Sequence, residues 1–135
     1  MTVTRLFGTV TAALFLCLAG QLQSEAGDLK ITEMAVTTKV VKGNPIDSVR
    51  RISSSSVKTL YCFTRFTGPK DTDTTVKHIW YLNNKVVLED AMPVKGAHWR
   101  SYSSKSVQKG VSGEWRCDAQ DDEGTVLKSV GFTMN

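Results

Sequence analysis

The sequence predicts an all-β fold, an antiparallel β-sandwich of seven to eight strands, on two observations. Short runs of β-favouring residues recur along the chain with turn residues between them. No segment after the first 26 residues shows the apolar spacing of a helix, and no internal repeat is present. The stretch from Val76 to Ala119 holds all three Trp and both His residues and sets the frame for the rest.

Within it, Lys77 to Leu82 (KHIWYL) carries large residues on both parities, as expected of a strand packed on both faces. Asn83-Asn84 tolerates the positive φ of a tight primed turn, so Lys85 to Leu88 should return as the second arm of a hairpin. His98 to Ser103 is a third run and Gly113 to Ala119 a fourth. In the fourth, Trp115, Cys117 and Ala119 share one face while Glu114, Arg116 and Asp118 share the other, the alternation of a half-buried strand. Upstream, Ile31 to Val41 is expected as one strand with Met34, Val36 and Val40 on a common parity, stopping at Lys42-Gly43-Asn44-Pro45. Ser53 to Ser56 reads as a loop. Leu60 to Phe66 places Leu60, Cys62, Thr64 and Phe66 on one face. Val126 to Met134 follows an acidic turn and pairs back as a hairpin with the Trp115 strand.

Met1 to Ala26 has the pattern of a signal peptide: Arg5, an apolar run from Leu6 to Gly20, and small residues at Ser24 and Ala26. The run is shorter than the roughly 20 residues of a membrane-spanning helix. Cleavage after Ala26 is expected, leaving a single domain over residues 27–135, a periplasmic or secreted location, and no stable membrane insertion after cleavage. The segment carries one acid and one base, so the formal net charge of +4 is kept. The bases are scattered rather than concentrated on one surface, which argues against nucleic acid as a partner.

Two cysteines remain after cleavage, Cys62 and Cys117. An exported chain meets an oxidising compartment, and a disulfide between them is the expectation; buried free thiols are the alternative. Cys62, Trp80 and Cys117 follow the order Cys, Trp, Cys that marks the core of an immunoglobulin-like sandwich. Trp115, two residues before the second Cys, stands where Tyr is usual in that core. Trp80 and Trp115 are thus assigned to the core.

The segments LYCFTR (Leu60 to Arg65), HIWY (His78 to Tyr81), HWRSYSSK (His98 to Lys105) and GEWR (Gly113 to Arg116), followed by DEGTVL and GFTM, occur in order. Together they resemble the domain of unknown function 2914 family, a family of bacterial envelope domains, over roughly Ile31 to Met134. The resemblance implies export and a β fold, and no established activity. It also implies an aliphatic residue where Cys117 stands, so the disulfide is an expectation for this chain alone.

Catalysis is not expected. Ser106-Val107-Gln108-Lys109 matches Ser-x-x-Lys without the companion motifs of that enzyme class, and no nucleophile–base constellation is evident. No metal or other cofactor is expected either, because no His or Cys pair has close ligand spacing. Two functional classes remain. One is a binding module of the envelope that takes a protein, peptide or glycan; the other is an assembly domain that works by strand-edge pairing. For a binding module the expected contact residues are Tyr81, Arg100, Tyr102 and Arg116, with Lys105 at the rim. An Arg beside an aromatic ring offers a planar donor fork next to an apolar surface. His78 shares the inward parity of Trp80 and is expected as a structural residue near a sheet end.

Overall fold

The computed structural model describes residues 29–135; the expected signal peptide and cleavage site fall outside the described residues. Ten strands and no helix make up this region. Seven of them are long: β1 (Lys30–Thr37), β5 (Lys58–Thr67), β6 (Asp73–Leu82), β7 (Lys85–Lys95), β8 (His98–Val107), β9 (Gly113–Gln120) and β10 (Val126–Met134). The other three, β2 (Val40–Val41), β3 (Asn44–Pro45) and β4 (Arg51–Ile52), are two-residue pieces, and they account for the count above seven to eight.

Two sheets face each other. One has the order β1-β5-β8 and the other β4-β10-β9-β6-β7. All long-strand pairings are antiparallel, whereas β4 runs parallel to β10. The first part of the chain therefore pairs with one sheet through β1 and then crosses to the other through β4. Neighbouring strands β6 and β9 lie in one sheet and β5 in the other, which is the arrangement that brings a Cys–Trp–Cys core together. The class is an immunoglobulin-like antiparallel sandwich.

Alternation along each strand builds the core. Leu60, Cys62 and Phe66 of β5 meet Val76 and Trp80 of β6, Trp115 and Cys117 of β9, and Phe132 and Met134 of β10. Trp80 is fully buried and Trp115 nearly so. The Trp115 ring stacks on Phe132 with centroids 5.8 Å apart, although its indole N–H has no hydrogen-bond partner among the described residues. Asn83 and Asn84 adopt φ of 50° and 66°, the left-handed pair that joins β6 to β7, as the sequence predicts.

The strand expected over Ile31 to Val41 is broken instead at Thr38-Lys39, and β2 folds away as a small hairpin with β3. The cause is Asp47. Its carboxylate accepts hydrogen bonds from Thr37 Oγ1 at 2.6 Å, Thr38 N at 2.8 Å and Thr38 Oγ1 at 2.6 Å. Burial acts to raise the Asp47 carboxyl, but the bonds from Thr37 and Thr38 outweigh it and hold the group below its ordinary value of 3.8. Its contribution is therefore present above 3.8 and lost as the pH falls through the lower folded value. Acidification from about pH 5 to about pH 2 is expected to loosen the hairpin closure. Amide exchange at Ile46, whose N–H bonds Lys39 O, measures it; protection unchanged across that range would show that Asp47 is not the clasp.

Candidate functional site

The expected contact residues fall on two opposite faces. Tyr81 of β6 and Arg116 of β9 are direct cross-strand partners on the outside of the five-stranded sheet. The Arg116 guanidinium carbon sits 4.1 Å from the Tyr81 ring centroid. Arg116 Nε also donates to Asp118 Oδ1 at 2.9 Å, and Nη1 donates to Asn84 Oδ1 at 2.9 Å. This arginine is tied into its own face on three sides.

Arg100 and Tyr102 lie on the outside of the three-stranded sheet, where β8 pairs with β5. The register there sets Phe63 opposite Tyr102, Arg65 opposite Arg100, and Thr67 opposite His98. Tyr102 is 53% exposed and meets Tyr61 edge-on, with centroids 6.0 Å apart. Arg65 lies over the buried Phe63 ring at 5.3 Å, and it is held by Glu33 at 3.1 Å and by Asn44 Oδ1 at 2.8 Å. Arg100 donates one hydrogen bond, from Nη1 to Gly43 O at 3.1 Å. The β2–β3 hairpin thus reaches down to this face and steadies both guanidinium groups. Gly43 permits it: its φ is 74°, and an added Cβ would fall 2.9 Å from Arg100 Nη1.

Two open clefts flank β8 on this side. One, of about 460 Å³, is bounded by Arg65, Thr67, His98, Trp99 and Arg100. The other, of about 210 Å³, is bounded by Met92, Pro93, Trp99, Arg100 and Tyr102. Trp99 and Arg100 are common to both. Lys105 is not at the rim of either. It shares the inward parity of Ser101 and Ser103, lies at the far end of β8 beside Leu82, Val87 and Trp115, and donates to Ser106 O. Arg65, Tyr61 and His98 are the residues that sequence reasoning missed: only the β5–β8 register places Arg65 and Tyr61 beside Arg100 and Tyr102, whereas His98 shares their parity on β8.

The interior holds a second polar group. His78 is fully buried in mid-strand rather than at a sheet end, and it bridges the two sheets. Its Nδ1 lies 2.8 Å from Ser103 Oγ and its Nε2 lies 3.0 Å from Thr64 Oγ1. Trp80 Nε1 donates to the same Ser103 Oγ at 3.0 Å, and Thr64 Oγ1 donates to Ser101 O at 3.4 Å. One assignment leaves no hydroxyl hydrogen idle. The Ser103 hydroxyl donates to Nδ1, and Nε2–H donates to Thr64 Oγ1. The hydrogen bonds then run in one direction from Trp80 to the backbone of Ser101.

Cys62 and Cys117 meet beside this group. The expected disulfide is not formed in the structure: both residues are buried free thiols. One ligand-type atom from each, with one from His78, lies within 4.8 Å of the others. A metal held by these three atoms would have to displace a hydroxyl from His78, both of whose nitrogens have hydroxyl partners. Burial acts to raise Cys62, but its neighbours, the Cys117 thiol first among them, outweigh it and lower Cys62 below the ordinary thiol range. Burial, together with the adjacent Cys62, pushes Cys117 well above the ordinary thiol range. A proton is therefore lost first from Cys62.

The sequence model of the family described as Protein of unknown function (DUF2914) matches residues 73–134, from the start of β6 to the end of β10. The resemblance read from HIWY, HWRSYSSK and GEWR holds over that region, while LYCFTR in β5 lies outside it. None of the curated proteins matches the sequence. Among solved structures, the Pseudomonas fluorescens alkylpurine DNA glycosylase AlkC, bound to DNA with an abasic site analogue, aligns with a TM-score of 0.51 at 17% identity. The alignment covers 80% of this chain and 30% of that one, and it is a likeness of fold alone. An immunoglobulin-like protein of Pseudomonas aeruginosa gives a TM-score of 0.49 at 13% identity, covering 79% of this chain and 96% of that one. The CARDB domain of a Pyrococcus furiosus protein gives 0.49 at 12% identity, covering 79% and 94%.

Proposed function

We propose that the chain is an exported, non-catalytic binding module of the bacterial envelope, acting in the periplasm or outside the cell on a protein, peptide or glycan. The observation that carries this reading is the outer ladder of the three-stranded sheet. There, Tyr102, Arg65, Arg100 and His98 project from two adjacent strands beside open clefts. Exposed aromatic rings interleaved with guanidinium groups are the residue types enriched where proteins bind partners. The Tyr81–Arg116 pair is a second candidate contact on the opposite sheet.

Assembly through strand edges is the alternative; three of the four edge strands discourage it, while the fourth, β8, is a regular ten-residue edge. The end strand β4 is two residues long, β7 carries Pro93 and the charges Lys85, Glu89 and Lys95, and β1 has a bulge between Ile31 and Glu33. All three are devices that discourage pairing with another strand.

A pulldown from envelope extract tests the proposal with wild type, Tyr102→Ala, and Tyr81→Ala/Arg116→Ala. Tyr102→Ala is expected to lose the partner. Its retention by that variant and its loss by the double variant would move the site to the five-stranded sheet. Retention by both folded variants would remove both faces.

A further inference from the structure

We infer that the cleft between Arg65, Arg100 and His98 takes the carboxylate of an acidic sugar, with the sugar chain running over β8 past Trp99 and Tyr102. The inference rests on the binding-module reading and gives it a ligand class. Arg65 and Arg100 are direct cross-strand partners, an opposition of like charges that is unfavourable when nothing lies between them. Among the described residues only Glu33 supplies a carboxylate to this pair, and it is bound to Arg65. Arg100 uses one of its five donors on Gly43 O and has no acidic partner there. The cleft therefore has an excess of positive charge and a donor fork with free positions, which suits a planar carboxylate.

The form of the ligand follows from what adjoins the fork. The second cleft wraps the edge of β8 toward β7, with Met92, Pro93, Trp99, Arg100 and Tyr102 on its walls, so apolar and aromatic side chains adjoin the Arg100 fork. A sugar ring presents an apolar C–H face to an aromatic and a polar edge to a donor. A uronic acid unit in the first cleft with its neighbour in the second uses both surfaces at once. β8 is itself a free edge of its sheet, so an extended peptide is the competing occupant, and titration with a peptide distinguishes it from the sugar.

Calorimetric titration of the purified chain at low salt tests this with trigalacturonate, neutral galactotriose, and a short acetylated peptide with a free C-terminal carboxylate. Saturable one-to-one binding of trigalacturonate is expected, at least about ten-fold tighter than galactotriose and weakened by added salt. Arg100→Ala should weaken it by about ten-fold or more, and Lys77→Ala, at an exposed position on the other sheet, should leave it within about two-fold. Because Arg100 also holds Gly43, His98→Ala provides a second variant at an exposed position. It should weaken binding while the near-ultraviolet signal of the Trp residues is unchanged. The inference is overturned by absence of saturable trigalacturonate binding, by equal affinity for galactotriose, by preference for the peptide, or by unchanged binding in both cleft variants. The extract pulldown reads the broader proposal separately. Partner capture lost with Tyr102→Ala, alongside no uronate binding, would leave a binding module with a different ligand.

Discussion

Trp80→Ala is expected to unfold the chain or to lower its thermal midpoint by some 15–30 °C. Trp80 is fully buried on β6, opposite Leu88 of β7 and Cys117 of β9, at the centre of the packed interior. Truncating a buried Trp costs roughly 3–5 kcal/mol, from lost transfer energy and from the cavity left behind. A small domain has only about 5–15 kcal/mol in total, and each kcal/mol moves the midpoint by about 4–8 °C at this size. The mutation also removes the indole N–H that Ser103 accepts, so the loss is both apolar and polar. Thermal denaturation followed by circular dichroism decides it. A midpoint within a few degrees of wild type would show that the interior does not depend on this residue.

Treatment with a small disulfide oxidant such as oxidised glutathione is expected to join Cys62 to Cys117. The two protein thiols give up two protons and two electrons, and the reagent leaves as two thiols. Cys62, the more readily ionised of the pair, attacks first, and Cys117 then displaces the mixed partner. Both side chains are fully buried, so reaction requires transient opening of the sandwich and should be slow in the folded state and faster during folding. The bond would close a long loop and contribute about 3–4 kcal/mol, and Cys62→Ala should cost the oxidised protein about 2–5 kcal/mol. Mass measurement after alkylation reads the outcome. Two labelled thiols in protein refolded under the oxidant would refute the pairing.

Much of this architecture was legible because alternation along a strand is a local property. Trp80 inward with Tyr81 outward, Trp115 inward with Arg116 outward, and the Asn83-Asn84 turn all follow from residues next to one another. The convergence of Cys62, Trp80 and Cys117 followed from their order. What escaped depends on register between distant segments. Nothing near Arg100 in the chain announces that Arg65 will stand opposite it. Asp47 interrupts β1 from ten residues away through hydrogen bonds that no periodicity records. β4 is too short to show a pattern and exists only because β10 is beside it. Lys105 is a different case. Its parity with Ser101 and Ser103 already set it apart from Arg100 and Tyr102.

The directed run of hydrogen bonds through His78 has a consequence for how uniquely the two sheets are placed. Apolar surfaces resist separation, yet they tolerate sliding, since one aliphatic contact is readily exchanged for another. Hydroxyl and imidazole groups do not tolerate it. If β6 moved along β5 and β8 by a single residue pair, Thr64, His78, Ser103 and the Trp80 indole would lose their partners together. Each orphaned group costs about 1–3 kcal/mol away from water. A shift that leaves the oily contacts nearly unchanged would thus forfeit most of the domain's stability. The polar group acts as a detent, selecting one alignment of the two sheets from several that the aliphatic side chains alone would accept.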